Sequence, residues 1–445
     1  MSLPPGPKIS PLVTSYHWLR RPFAFFDETA ARYGDAFSMR LLGLPPLAVF
    51  SNPETVKEIF ADDGDLLLAG KFNLSLKAFL GECSILMLDR KEHLRHRRLL
   101  LPPFHGERMA AYGQAMIDLT HDAFDALPLG KPFAVHGILQ SVTLRVIVRT
   151  VFGIEAGPQF EDICAKVGDV LERASWAPLL LPFMQADLGR FSPWGGYLRA
   201  QAASHALILA EIRARRASGA RRSDILSLLL DAKDEEGQPM TDAELLDELV
   251  TLLVAGHETT ATALAWALRW VLDSQDTRER LVAEIRGLPS ATPARIAELP
   301  LLDAIVRETL RLQPVVPIVG RILDRDATIG GHALPAGTGV VCSIYLAQRR
   351  SQVYEDPTRF VPERFMGRKF TPQEFFPFGG GVRRCVGMAF ALYEMKMVLA
   401  TVFARVHLRL APGKPIKVVR RSITLTPSDG LQVLAEARKA RMGMN

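Results

Sequence analysis

Three consecutive glycines, Gly379-Gly380-Gly381, lead through Val382-Arg383-Arg384 into Cys385, Val386 and Gly387. The rest of the chain is organised around this stretch. A glycine run favours neither helix nor strand; it marks a turn that needs unusual dihedrals or the close approach of another group. Met388 to Met395 then reads as the start of an apolar helix. Cys385 therefore stands at a loop-to-helix junction, where backbone N–H groups and the helix dipole favour a thiolate. An ordinary buried cysteine beside a tight turn is the plain alternative. Arg383, Arg384 and the glycines favour a ligand.

The other cysteines narrow the chemistry. Cys83, Cys164 and Cys342 are far apart, and none forms a C-x-x-C pair with another or with Cys385. That argues against a disulfide framework, a zinc ribbon or an iron–sulfur cluster and fits a reducing cytoplasm. Charge narrows the partners: 54 − 48 = +6 is too mild for a nucleic-acid binder but enough to attract an acidic partner. The N-terminus, Met1 to Lys8, carries no apolar signal region, and no run of about 20 apolar residues follows. The expectation is a soluble protein without a membrane anchor.

With 48% hydrophobic residues the chain can bury an extensive core. Helices are expected over Phe23–Tyr33, from Pro53, over Asp89–Pro102, through most of Tyr112–Leu230, over Thr241–Leu272 and over Pro300–Leu312. Short strands are expected at Ala36–Leu42, Leu47–Phe50, Ala327–Ile329, His332–Leu334, Val340–Ile344, Val406–Leu410, Lys417–Val419 and Ile423–Thr426, followed by a frayed basic tail. No repeat or linker divides them. One mainly helical domain with a smaller β part, spanning 1–445, fits better than two.

Three helices carry unusual residues. The Asp89–Pro102 helix crowds Arg90, Lys91, His93, Arg95, His96, Arg97 and Arg98. This is either a solvated basic face or an anion site, with His93 and Arg97 on one side of the helix. The long Thr241–Leu272 helix opens with a capping box and is apolar almost all round. It nevertheless carries Ala255-Gly256-His257-Glu258-Thr259-Thr260 in its middle. Polar groups there are costly unless used: a kinked core helix with Glu258 in a salt bridge, or a groove where a ligand meets a proton donor. Glu308 and Arg311 lie three apart, a spacing that is usually a weak surface tie.

Together these motifs resemble the cytochrome P450 family of haem-thiolate monooxygenases, in the family's order and across nearly the whole chain. Phe378–Gly387 is similar to the cysteine-ligand loop, Ala255–Thr260 to the oxygen-activation motif, and Glu308-Thr309-Leu310-Arg311 to the Glu-x-x-Arg helix. Arg364 in Pro362-Glu363-Arg364-Phe365 matches the third member of its ion network, and His93 with Arg97 matches the basic pair on the helix crossing the haem.

The resemblance implies a P450 fold with the long central helix over haem b, and Cys385 as axial thiolate. It implies Phe378 shielding the sulfur, the backbone of the Gly-rich turn moderating it, Gly387 among the cofactor-binding residues, and His93, Arg97, Arg321 and Arg383 as partners of the propionates. Ala255 and Gly256 would leave the gap over the iron. Thr259 would steady dioxygen, Glu258 would deliver protons through water, and Glu308, Arg311 and Arg364 would be structural. The reaction would place one oxygen atom of dioxygen into a medium or large hydrophobic molecule by hydroxylation or epoxidation. By motif register, the pocket would use Phe72, Leu76, Ser84, Ile85, Leu180, Leu252, Ala255, Val315, Val316, Ile318, Ile423 and Thr424.

The departures are small: His93 stands where many members carry Trp, and the acid before Thr259 is Glu rather than Asp. Peroxide-driven peroxygenases tend to replace the acid–threonine pair, and a haem-binding sensor would not need it, so its presence favours dioxygen and turnover. The chain holds no flavin or nicotinamide fingerprint and no iron–sulfur cluster motif. Electrons are therefore expected from a ferredoxin or flavodoxin with its reductase, docking on a basic face around Arg384 with Arg95, Arg98, Arg349, Arg350 and Arg368. A monomer in the cytoplasm is the accompanying expectation.

Overall fold

The structure is a computed structural model; it describes residues 2–104, 108–176, 179, 184–219 and 222–441. The helix Asp242–Asp273 runs through its middle. Thr241 caps it: its Oγ1 accepts from Glu244 N at 3.2 Å, and Glu244 Oε2 accepts from Thr241 N at 2.7 Å. From Ala261 to Leu268 every residue is buried, because the helix is walled by others on nearly all sides. Val135–Phe152, Met388–Arg405, Pro300–Leu312 and the strand Thr424–Pro427 pack against it.

Val135–Phe152 is long and apolar enough to cross a membrane by composition alone, but 67% of it is buried within the protein. It is a core helix facing the central one. The main hydrophobic cluster draws residues from Ile85 to Ala435, and smaller clusters form under the N-terminal segments.

A five-stranded sheet forms in the order Ala36–Met39, Leu47–Phe50, Gly339–Ser343, Ile318–Leu323, Leu67–Leu68. Only the Leu47–Phe50/Gly339–Ser343 pair is parallel, with Leu47 opposite Gly339 and Phe50 opposite Cys342. The expected strands at Ala36–Leu42 and Leu47–Phe50 pair antiparallel across the turn at Gly43, with Ala36 opposite Phe50. Leu47–Phe50 and Gly339–Ser343 are buried throughout, as strands covered on both faces must be.

Several elements go beyond the sequence reading, among them the helix Gln275–Arg286 and two others. Pro11–Arg20 is a helix, with Ser10 Oγ accepting from Val13 N. The basic tail is a strand, Gln432–Arg438, which pairs with Val406–Leu410 on one side and Pro132–Ala134 on the other. Its inward residues are Val433 and Ala435. An alanine contributes so little apolar area that the alternation is faint beside the arginines.

Candidate active site

The glycine turn is explained by Phe60, on the helix Pro53–Ala61. Gly379 and Gly381 have φ of +69° and +63°, a region costly for other residues. A Cβ on Gly380 would lie 2.2 Å from the Phe60 ring, and one on Gly381 would lie 2.3 Å from the Phe60 carbonyl oxygen. The turn is thus pressed flat against a neighbouring helix. It closes by Cys385 N donating to Phe378 O at 3.0 Å and Arg384 N to Gly381 O at 3.1 Å. Phe378 packs against the main core.

Cys385 is an exposed residue at the end of the turn. Burial pushes its thiol pKa up. A hydrogen bond from the Gly387 N–H, then Arg97 and Arg384, work the other way. Backbone and guanidinium groups of this kind are what a thiolate ligand requires once a metal replaces the proton.

A second accessible surface lies on the central helix. Ala255 is exposed in the middle of an otherwise enclosed helix, between the buried Leu253 and His257. Thr259 Oγ1 donates to Ala255 O at 2.5 Å, so its hydroxyl lies along the same face. The segment 83–89 ties this helix to the cysteine loop. Thr251 Oγ1 donates to Ser84 Oγ at 2.7 Å, while Arg383 donates to Ile85 O at 3.2 Å and Leu88 O at 2.5 Å.

Glu258 points to a different wall. Its Oε2 accepts from Gln140 Nε2 at 2.5 Å, Oε1 lies 3.4 Å from Thr262 Oγ1, and both His136 Nε2 and Arg421 Nε are 3.8 Å from Oε1. Burial raises its pKa; Arg421, Gln140 and Thr262 oppose the rise.

The basic residues form a cationic chamber. His93 is 3% exposed, and its pKa is lowered to about 3 by burial and then by Arg383, Arg97, His96 and Arg321. Arg321 is 5% exposed, lies 5.7 Å from the Phe60 ring centroid, and has no carboxylate within ion-pair distance among the described residues. Arg97 Nη1 donates to Arg384 O at 2.6 Å. Arg383 is bound to Asp89 at 2.5 Å, yet its Nε is buried without a partner. A buried guanidinium with no counter-charge is unstable unless an anion completes the site. These groups fit the two carboxylates of a haem beside the sulfur of Cys385. Arg383 is already shared with Asp89, so Arg321, His93 and Arg97 are the less committed partners.

Glu308, Arg311 and Arg364 come together in one buried network. Arg311 grips Glu308 through Nε at 2.6 Å and Nη2 at 2.8 Å, and both residues are fully buried. Arg364 Nε donates to Glu308 Oε1 at 3.0 Å, and Val361 N to the same oxygen at 2.9 Å. Arg311 also donates to the carbonyls of Gln348, Pro357 and Arg359. A spacing that is commonly a surface tie here welds the Pro300–Leu312 helix to the segment before the cysteine loop.

The expected pocket residues divide. Leu76, Leu252 and Val316 are partly accessible, Ile423 is exposed, and Ile85 and Val315 keep 8% each. Ser84 at 0% and Thr424 at 2% face no open space: Ser84 is used by Thr251, and Thr424 Oγ1 donates to Arg421 O at 2.8 Å. Phe72 sits over Gly320, where a Cβ would meet its ring at 2.2 Å, and together with Ile318 it packs on the N-terminal cluster. Leu180 lies outside the described residues.

Sequence reasoning missed Gln140, His136, Arg421, Asp89 and Phe60. Each acts through a partner far away in the chain, so no local spacing marks it. Only Asp89, directly before the basic run, carried a signal, as an acidic residue opening a helix.

The family profile for cytochrome P450 matches residues 4–435. A Mycobacterium bovis protein named cytochrome P450 135B1 is 35% identical over 441 residues, covering 99% of this chain and 92% of its own. Cytochrome P450 137 of Mycobacterium tuberculosis is also 35% identical, over 90% of this chain and 83% of its own. Among solved structures, retinoic acid bound cyanobacterial CYP120A1 superposes with a TM-score of 0.87 at 25% identity, over 99% of this chain and 100% of that one. The heme domain of cytochrome P450DA, at 24% identity, shares the fold with a TM-score of 0.84 over 98% of both chains. With a profile match over nearly its whole length and relatives above 30% identity, the chain belongs to the cytochrome P450 family.

Proposed function

We propose that this P450 monooxygenase holds haem b with Cys385 as the axial thiolate and oxidises a medium or large hydrophobic molecule by hydroxylation or epoxidation. When bound, the haem supplies dioxygen activation at a thiolate-ligated iron, the property for which this family is known. The observation that carries the reading is an exposed cysteine on a loop whose Arg383, with Arg97 and the buried Arg321, crowds round a neutral His93 with too few counter-charges.

The chain's own residues then divide the work. Gly387 N–H moderates the sulfur. Arg321, His93 and Arg97, with Arg383, take the propionates. Ala255 leaves room, the Thr259 hydroxyl holds a proton donor in place, and Glu258 relays protons from solvent. This acid–hydroxyl pair supports turnover over sensing. Leu76, Ile85, Leu252, Val315, Val316 and Ile423 supply apolar contact, which the retinoic acid in the cyanobacterial neighbour also favours. Electrons come from a separate ferredoxin or flavodoxin system, and the chain works as a cytoplasmic monomer of one domain.

The absorption spectrum of the reduced, CO-bound protein tests this. A strongly red-shifted Soret band that disappears in Cys385→Ser is expected. A haem-loaded wild-type protein without that band would overturn the thiolate assignment. A screen of apolar compounds for spin-state shifts then identifies the substrate class.

A further inference from the structure

Glu258 lies one position before Thr259, about 100° away around the helix. Its partners all stand on that other side. Gln140 comes from the Val135–Phe152 helix and takes Oε2 at 2.5 Å. Arg421 ends the strand Val418–Arg421 and brings Nε to 3.8 Å from Oε1, with no hydrogen bond of its own at that atom. His136 Nε2 is equally distant from Oε1 and lies 3.2 Å from Thr262 Oγ1. Arg421 is one-third exposed, whereas Glu258 is 16% exposed, so the cluster leads from solvent to the acid.

We propose that Gln140 and Arg421 are positioning residues that hold the Glu258 carboxyl against the Val135–Phe152 helix, off the Ala255–Thr259 face. Glu258 then leaves Gln140 to pass a proton toward Thr259 and recovers one from water on the Arg421 side. The inference rests on the proton-relay role given to Glu258 above.

The surroundings set the direction of the effect. Besides Arg421, the titratable groups near Glu258 are His136 and the neighbouring His257. Both are held neutral, with pKa values lowered to about 4 chiefly by burial. Arg421 and the Gln140 amide both favour the charged carboxylate. Removing either must raise the pH at which Glu258 takes its proton.

The test follows the Glu258 carboxyl stretch by infrared difference spectroscopy across pH in the resting ferric protein. The Glu258→Gln spectrum identifies the band. Loss of the Gln140 hydrogen bond to the carboxylate shifts the titration by about one pH unit, and loss of the Arg421 charge shifts it in the same direction. An upward shift in Gln140→Leu and in Arg421→Gln, with the pH profile of product formed per dioxygen consumed moving in parallel, is the expected result. A titration unmoved in both variants overturns the positioning role. So does a shifted titration with an unmoved coupling profile. If Glu258→Gln itself leaves coupling intact, the relay role falls instead, and the infrared shift still decides whether Gln140 and Arg421 hold the group. Arg421 is partly exposed, so its variant remains informative if Gln140→Leu does not fold.

Discussion

Glu308 is the residue on which most other groups depend. Its two oxygens serve Arg311, Arg364 and the Val361 amide in a fully buried site. Replacing it by alanine strands two guanidinium groups and should cost about 3–5 kcal/mol. Glu308→Ala is therefore expected to accumulate poorly and to lose haem. Full haem content with an unchanged thermal midpoint would refute the structural role. Thr259 is the opposite case, because it is half-buried and, among the described residues, its hydroxyl bonds back to Ala255 O alone. Thr259→Ala should fold normally but release more peroxide per product; undiminished coupling would remove Thr259 from the proton route. Gly380 offers a third reading. Gly380→Ala drives a methyl into the Phe60 ring, and Phe60→Ala in the same chain should recover part of the lost haem binding. No recovery would mean that Phe60 is not what the glycine accommodates.

Whole elements show what was legible and why. The cysteine loop, the capping box at Thr241 and the Glu308–Arg311 helix are local signals, and each lies where its sequence placed it. Cross-chain partners are not local. Nothing beside Glu258 pointed to Gln140, and nothing in the basic tail announced a central strand. Phe72, Ser84 and Thr424 were assigned by position in a motif, which fixes the segment but not which way a side chain packs. The basic helix Arg90–Leu100 carried a further hidden device. His96 Nδ1 lies 2.6 Å from Glu248 Oε1, and Nε2 lies 3.2 Å from Glu244 Oε1, tying this helix to the central one. Burial opposes charge on the ring, but the two carboxylates outweigh it and raise its pKa above the ordinary value near 6.5. A histidine pKa raised by folding gives stability that is complete below the unfolded value. That stability is lost as pH rises through the folded one. The thermal midpoint of the wild type should fall from about pH 6.5 upward, and His96→Gln should flatten that fall. Equal slopes in both proteins would show that the pair does not carry it.

At the scale of the molecule the question is where an electron donor docks, and the structure redistributes the expected basic face. Arg95 is committed to Asp234 and Glu244, Arg98 to Glu235, Arg350 to Asp35 and Arg368 to Glu374. Arg349 packs over the Tyr345 ring at 4.5 Å and donates to Leu312 O. Neutralised or inward-facing charges add little to long-range attraction. Arg384 differs: it is exposed, directly precedes Cys385, the proposed ligand, and has no carboxylate partner among the described residues. Its carbonyl is fixed by Arg97, so the loop holds its shape when the side chain changes. A single unpaired charge beside Cys385 should matter more than several paired ones. Arg384→Gln is expected to slow reduction by an acidic ferredoxin several-fold at low ionic strength, with the gap closing as salt shortens the Debye length to a few ångströms. Arg98→Gln should change the rate little, because Glu235 already cancels that charge. Stopped-flow reduction across a salt series separates the two. Equal losses for both variants, or a rate that ignores ionic strength, would move the docking face away from Arg384.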